Sequence, residues 1–137
     1  MIGLIIITHH TIGDAYRGLA THFFPNETWE NVKIVGVDND DSHEMIIEKI
    51  EQVLPILQQS AGILMLVDIF GATPCNAVLK LVDSQKMAML TGLNAPMLIK
   101  AVQYAKSSQN LTDFVHIVQN AAIQGIIRLP ESDETNI

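Results

Sequence analysis

The sequence predicts an α/β fold: an open, mainly parallel four-stranded sheet in the order 2-1-3-4, with helices on both faces and a last short strand. Three observations predict it. Short β-branched and aliphatic runs alternate with longer stretches at helical spacing, the pattern of a parallel sheet covered by helices. The first run, Gly3 to Thr8, is continuously apolar, as a strand buried on both faces should be. Two later strands run into a turn with proline at a helix start, at Pro74 and at Pro96.

The elements follow in order. Behind the first strand a helix is expected from Ile12 to Phe24, with Ala15, Leu19, Ala20 and Phe23 on one face, and Pro25-Asn26 ends it. Strand two is Val32 to Val37, stopped by the acidic turn Asp38-Asn39-Asp40. The next helix opens on a capping box, Asp41 as N-cap with Glu44 three residues on, and Met45, Ile46, Ile50, Val53 and Leu54 repeat at helical spacing. Pro55 should kink or end it, because an interior proline loses a hydrogen bond and clashes with the preceding turn.

Strand three is Ile63 to Asp68, followed by Ile69-Phe70-Gly71-Ala72-Thr73-Pro74. Thr73 as N-cap and Pro74 as first helical residue start a helix reaching about Val82. Strand four is Lys86 to Thr91, then Gly92-Leu93-Asn94-Ala95 and a helix from Pro96 to Lys106. Asn94 either caps that helix or lines the crevice, and capping is favoured. After the polar break Ser107 to Asn110 a last helix spans Leu111 to Gln124, and Gly125 to Leu129 is the short final strand. Residues 1–129 then form one domain, and 130–137 a polar tail. A chain of 137 residues is long enough for a core without disulfide or metal staples.

Composition narrows the function. Fifteen acidic and eight basic residues give a net charge of −7, which argues against nucleic acid and against docking on an anionic membrane. No apolar run approaches the ~20 residues needed to cross a bilayer. The apolar start, Met1 to Thr8, lacks a basic segment and a small-residue cleavage site, so it reads as a buried strand. One cysteine, Cys75, allows no internal disulfide. A cytoplasmic protein is expected.

In an open parallel sheet function gathers beyond the carboxyl ends of the strands, where strand order reverses; here that is between strands one and three. His9 ends the first and Asp68 the third. Neighbouring strands stand ~4.8 Å apart, so the two side chains can meet. A carboxylate on one imidazole nitrogen fixes the tautomer, leaving the other nitrogen a lone pair for attack on an electrophile. Beyond Asp68, Gly71 and Ala72 are small enough for backbone N–H groups to approach an anion. Thr73 adds a hydroxyl, and the helix from Pro74 would aim its positive end there. Phe70, Gly71, Ala72 and Thr73 are therefore the candidate phosphate-binding residues, beside the candidate catalytic pair His9 and Asp68. Phosphoryl transfer is the chemistry this suggests.

Plainer readings stand beside this one. His10 competes with His9, but strand alternation sends the two to opposite faces. Asp68 and Thr73 can act as loop and helix caps as well as in a site. Cys75, without a paired base, reads as packing. His22, His43 and His116 share no ligand spacing, and Asp38 to Asp41 lacks the spaced ligands and distal Glu of a calcium loop. No metal or cofactor is called for. A hydrolase or nucleotide-binding enzyme is disfavoured, because the chain lacks a P-loop, a Gly-x-Gly-x-x-Gly and a Gly-x-Ser-x-Gly.

Thr8-His9, the stretch Leu66 to Ala77 (LVDIFGATPCNA) and Gly92 to Leu98 (GLNAPML) resemble the mannose-type IIA proteins of the bacterial phosphotransferase system, in matching order and spacing over about Met1 to Leu129. The resemblance implies that His9 carries the phosphoryl group on Nε2, that Asp68 is its hydrogen-bonding partner and that Thr73 stands near the phosphate. It implies phosphorylated HPr as donor, itself charged by enzyme I, and as acceptor a IIB component that serves sugar uptake through a membrane permease complex. It also implies a homodimer in which the last strand, matched by Gly125 to Leu129, adds antiparallel to the partner's sheet. Because the sequence stops soon after that strand, the acceptor is expected to be met in trans. The Asp68 to Pro74 loop also resembles members from bacteria whose phosphotransferase system lacks permeases. The alternative is therefore a regulatory module whose phosphorylation state signals to a protein partner without sugar transport.

Overall fold

A computed structural model describes residues 1–69, 82 and 86–131. Four strands, β1 (Ile2–His9), β2 (Val32–Val37), β3 (Gly62–Val67) and β4 (Met87–Thr91), form one sheet in the order β2-β1-β3-β4. Every pairing is parallel, with Ile6 opposite Ile34 on one side and Leu66 on the other. The helices are α1 (Ile12–Phe23), α2 (His43–Val53), α3 (Ala95–Ala105) and α4 (Leu111–Gln124), with a 3-10 turn at Leu54–Leu57. Pro55 lies in that turn, so α2 stops as an interior proline requires.

The uninterrupted apolar run of β1 is divided by its pleat between two cores. Ile2, Leu4 and Ile6 meet Leu64, Leu66, Met97, Leu98, Phe114 and Val118 on one face. Ile5 and Ile7 meet Val35, Val37, Met65, Ile46, Ile50 and Leu57 on the other. Helices on both faces therefore follow directly from a first strand with no polar residue between Ile2 and Ile7. Gly13 lets α1 close down on the sheet: a Cβ there would stand 2.6 Å from Ile34 Cγ2.

Three expectations are corrected. The N-cap of α2 is Ser42, whose Oγ accepts from Met45 N at 3.2 Å. Asp41 is drawn off instead by Lys49 Nζ at 2.6 Å and by the backbone N–H of Asp38 at 2.8 Å. On α1 the buried positions are Gly13 and Ala20, with Tyr16 and Leu19 partly covered and Phe24 partly covered just past its end, while Ala15 and Phe23 face outward. The stripe is rotated because the glycine, absent from the apolar count, is the point of closest approach. Finally, Gly125 to Leu129 pairs with no strand of its own chain among the described residues; Ile126, Ile127 and Leu129 are 75%, 75% and 80% exposed. A strand needs such a ladder partner.

Asn94 caps α3, accepting from Met97 N at 2.9 Å, and its amide also donates to Ala122 O at 3.1 Å, tying α3 to the end of α4. The helix expected from Pro74 lies outside the described residues except for Val82, which is helical and packs on the α2 side of the sheet. No helix among the described residues is long and apolar enough to cross a membrane.

Candidate functional site

The carboxyl ends of β1 and β3 lie side by side, with Ile7 opposite Val67. The next residues emerge together. Asp68 N donates to Ile7 O at 3.2 Å, which carries the β1–β3 pairing one step beyond β3. One carboxylate oxygen of Asp68, Oδ2, then accepts two bonds from His9: the backbone N–H at 2.9 Å and the ring Nδ1 at 2.9 Å. Oδ1 accepts the backbone N–H of Ile69 at 2.8 Å. Both oxygens are thereby oriented, and the ring is fixed relative to its own backbone.

The side chains of His9 and Asp68 are 32% and 11% exposed. The carboxylate is thus largely shielded while the imidazole reaches solvent. With Nδ1 as donor the lone pair falls on Nε2, which has no hydrogen-bond partner among the described residues. A neutral imidazole with a free, outward Nε2 can act as nucleophile or base, and the carboxylate behind it offsets the charge that forms.

The turn after His9 is built with care. Thr8, fully buried, accepts from Gly13 N at 2.7 Å through Oγ1 and so satisfies the start of α1. Between them, His10 adopts a left-handed φ of +48°. Its Nε2 donates to Asn39 Oδ1 at 3.2 Å, and its Nδ1 faces Asp38 at 3.9 Å. His10 therefore turns away from the His9–Asp68 pair toward the loop after β2. In that loop Lys49 Nζ also reaches Gly36 O at 2.9 Å. The hydrogen bond from Lys49, with help from the Asp38 N–H, holds the Asp41 carboxyl below the ordinary carboxylate range.

Of the six residues singled out by the sequence, His9 and Asp68 come into contact; Phe70, Gly71, Ala72 and Thr73 lie outside the described residues. Sequence reasoning passed over Asn39 and Lys49, whose only signal was their place in and beside the acidic turn. Among the described residues, no group of three or more His, Cys, Asp or Glu is gathered as a metal site.

This arrangement has relatives. The family model for the "PTS system fructose IIA component" matches residues 3–119. The chain belongs to this family. The IIA chain is 31% identical over 103 residues to the fructose-specific EIIA component of Bacillus subtilis, across 74% of this chain and 69% of that protein. It is 28% identical over 126 residues to the mannose-specific EIIAB component of Escherichia coli K12; the match takes in 91% of this chain but only 38% of that longer protein. Among solved structures, the phosphotransferase system component EIIA from Streptococcus agalactiae superposes with a TM-score of 0.83 at 24% identity, covering 96% of this chain and all of that one. That IIA fold is the parallel sheet described above.

Proposed function

We propose that this IIA protein is a phosphocarrier that accepts a phosphoryl group from phosphorylated HPr on His9 and passes it to a IIB component for sugar uptake. The observation that carries the reading is the pair of hydrogen bonds that Asp68 Oδ2 accepts from His9, which leaves Nε2 as the free nitrogen. In the forward step the Nε2 lone pair attacks phosphorus as the P–N bond to the donor histidine breaks. The donor imidazole leaves with that electron pair, and His9, now bonded at Nε2 and protonated at Nδ1, carries positive charge next to Asp68. The reverse displacement, by an acceptor nucleophile, returns His9 to its starting state. Phosphohistidine has a high transfer potential, so neither direction needs a metal on the carrier.

Phe70, Gly71, Ala72 and Thr73 complete the proposal as a cradle for the phosphoryl oxygens, supported by the small size of Gly71 and Ala72, the Thr73 hydroxyl and the proline-led helix start expected from the sequence. A homodimer belongs to the same reading. β4 is an edge of the described sheet, and beside it lies a cavity of about 450 Å³ lined in part by Met89, Met97, Ile123 and Ile126. The exposed segment Gly125 to Leu129 can satisfy its backbone on that edge of a second copy.

Incubation with enzyme I, HPr and phosphoenolpyruvate should place an acid-labile phosphate on the protein and lose it in His9→Ala. Full labelling of that variant would move the assignment elsewhere.

A further inference from the structure

Residue 10 is where the chain must reverse. Thr8 still belongs to β1, yet its hydroxyl caps Gly13 in the first turn of α1, and only His10 and Thr11 lie between the end of β1 and the start of that helix. The reversal is made by one left-handed residue, and an L side chain there is disfavoured by the contact between Cβ and backbone. Backbone hydrogen bonding fixes its N-terminal side, because His10 N donates to Val37 O at 2.8 Å. Its carbonyl is packed so closely over β2 that a Cβ on Gly36 would stand 2.8 Å from it. What remains to hold the strained φ is the ring, bonded to Asn39 and facing Asp38. That loop is in turn pinned to α2 by Lys49, which reaches Asp41, Asp38 and Gly36 O.

We propose that His10 is a positioning residue: clasped to the Asn39–Asp38 loop, it holds the strand tip in its left-handed turn and so keeps the neighbouring His9 ring seated on Asp68. The clasp and the Asp68 bonds act on the two sides of one peptide unit. Asp68 holds His9 from β3; Asn39 holds His10 from β2. Loosening the second lets the tip relax toward extended backbone, which swings the His9 N–H and ring off the single oxygen they share. The inference rests on His9 being the phosphorylated residue.

Two readouts separate it from that reading. The first is the initial rate of phosphoryl uptake from phosphorylated HPr by His10→Gly, His10→Ala and Asn39→Ala. The second is the pair of ring ¹⁵N shifts of His9 in the unphosphorylated protein, which report its tautomer. Asn39→Ala leaves His10 in place and cuts only the far end of the clasp, so it serves where a His10 variant fails to fold. The expected result is uptake slowed about tenfold, with unchanged final stoichiometry, and His9 nitrogen shifts moved toward a tautomer average. His10→Gly, freed of the left-handed penalty, should lie nearer the unaltered protein than His10→Ala does. Unaltered rates together with unaltered His9 shifts in Asn39→Ala and His10→Gly would overturn the proposal. Should no phosphoryl group reach His9 even in the unaltered protein, the phosphocarrier reading fails, while the shifts still decide whether His10 positions the ring.

Discussion

One carboxylate oxygen of Asp68 accepts both the backbone N–H and the ring N–H of His9, so a single substitution loosens two restraints. Asp68→Asn keeps the size of the side chain but offers the ring a weaker acceptor, or a competing N–H donor, and lets the other tautomer in. Uptake of phosphate should fall about a hundredfold or more, measured as initial rate, with the thermal unfolding midpoint little changed. The rim behaves differently. Asp41 is held ionised mainly by Lys49, so its folded carboxyl lies below its unfolded range. A lowered carboxyl stabilises the fold above the unfolded pKa of about 3.9, and that contribution is lost as pH falls through the lower folded value. Asp41→Asn should therefore unfold at a lower temperature than the unaltered protein at pH 7, and the gap should start to narrow below about pH 4 and close only once pH has fallen past the lower folded value. The contact of His9 with Asp68 could be expected from sequence because strand ends and spacing alone put them together. The left-handed His10 could not, since histidine carries no fixed φ preference and its partner Asn39 is 29 residues away.

At the scale of elements, strands and helix spans were the most legible part, because a continuous apolar run and a 3.6-residue period are one-dimensional signals. The last helix begins and ends where its spacing said, Leu111 to Gln124. Caps were less so: Asp41 and Ser42 are both good N-cap residues, and the choice between them was made by Lys49, about two turns further along α2. The Thr8 hydroxyl is another such tertiary cap, joining β1 to α1 across five residues. Thr8→Val, close in shape but without the acceptor, leaves the buried Gly13 N–H unpaired and should lower the unfolding free energy by about 1–2 kcal/mol in urea titration. Phe114 is 1% exposed in the core between α4 and the sheet, so Phe114→Ala should cost more, about 3–5 kcal/mol by the same titration.

For the whole molecule, the sheet order 2-1-3-4 places the end of β1 beside that of β3, and the candidate site is a consequence of that topology. The final segment shows where a single chain's pattern stops being informative. Ile126, Ile127 and Leu129 have the composition of a strand, but a strand is a property of a pair, and among the described residues these three pair with no strand. If a second copy supplies the partner edge, Ile126→Ser combined with Ile127→Ser should convert a dimer to a monomer in sedimentation equilibrium while leaving the circular dichroism of the fold in place. The central claim, a nucleophilic Nε2 on His9 set free by Asp68, is reached most directly by ³¹P–¹⁵N correlation on protein labelled at its histidine nitrogens and charged by HPr. The account predicts one coupled nitrogen, Nε2 of His9. A phosphoryl group on Nδ1, or on any other residue, would contradict it.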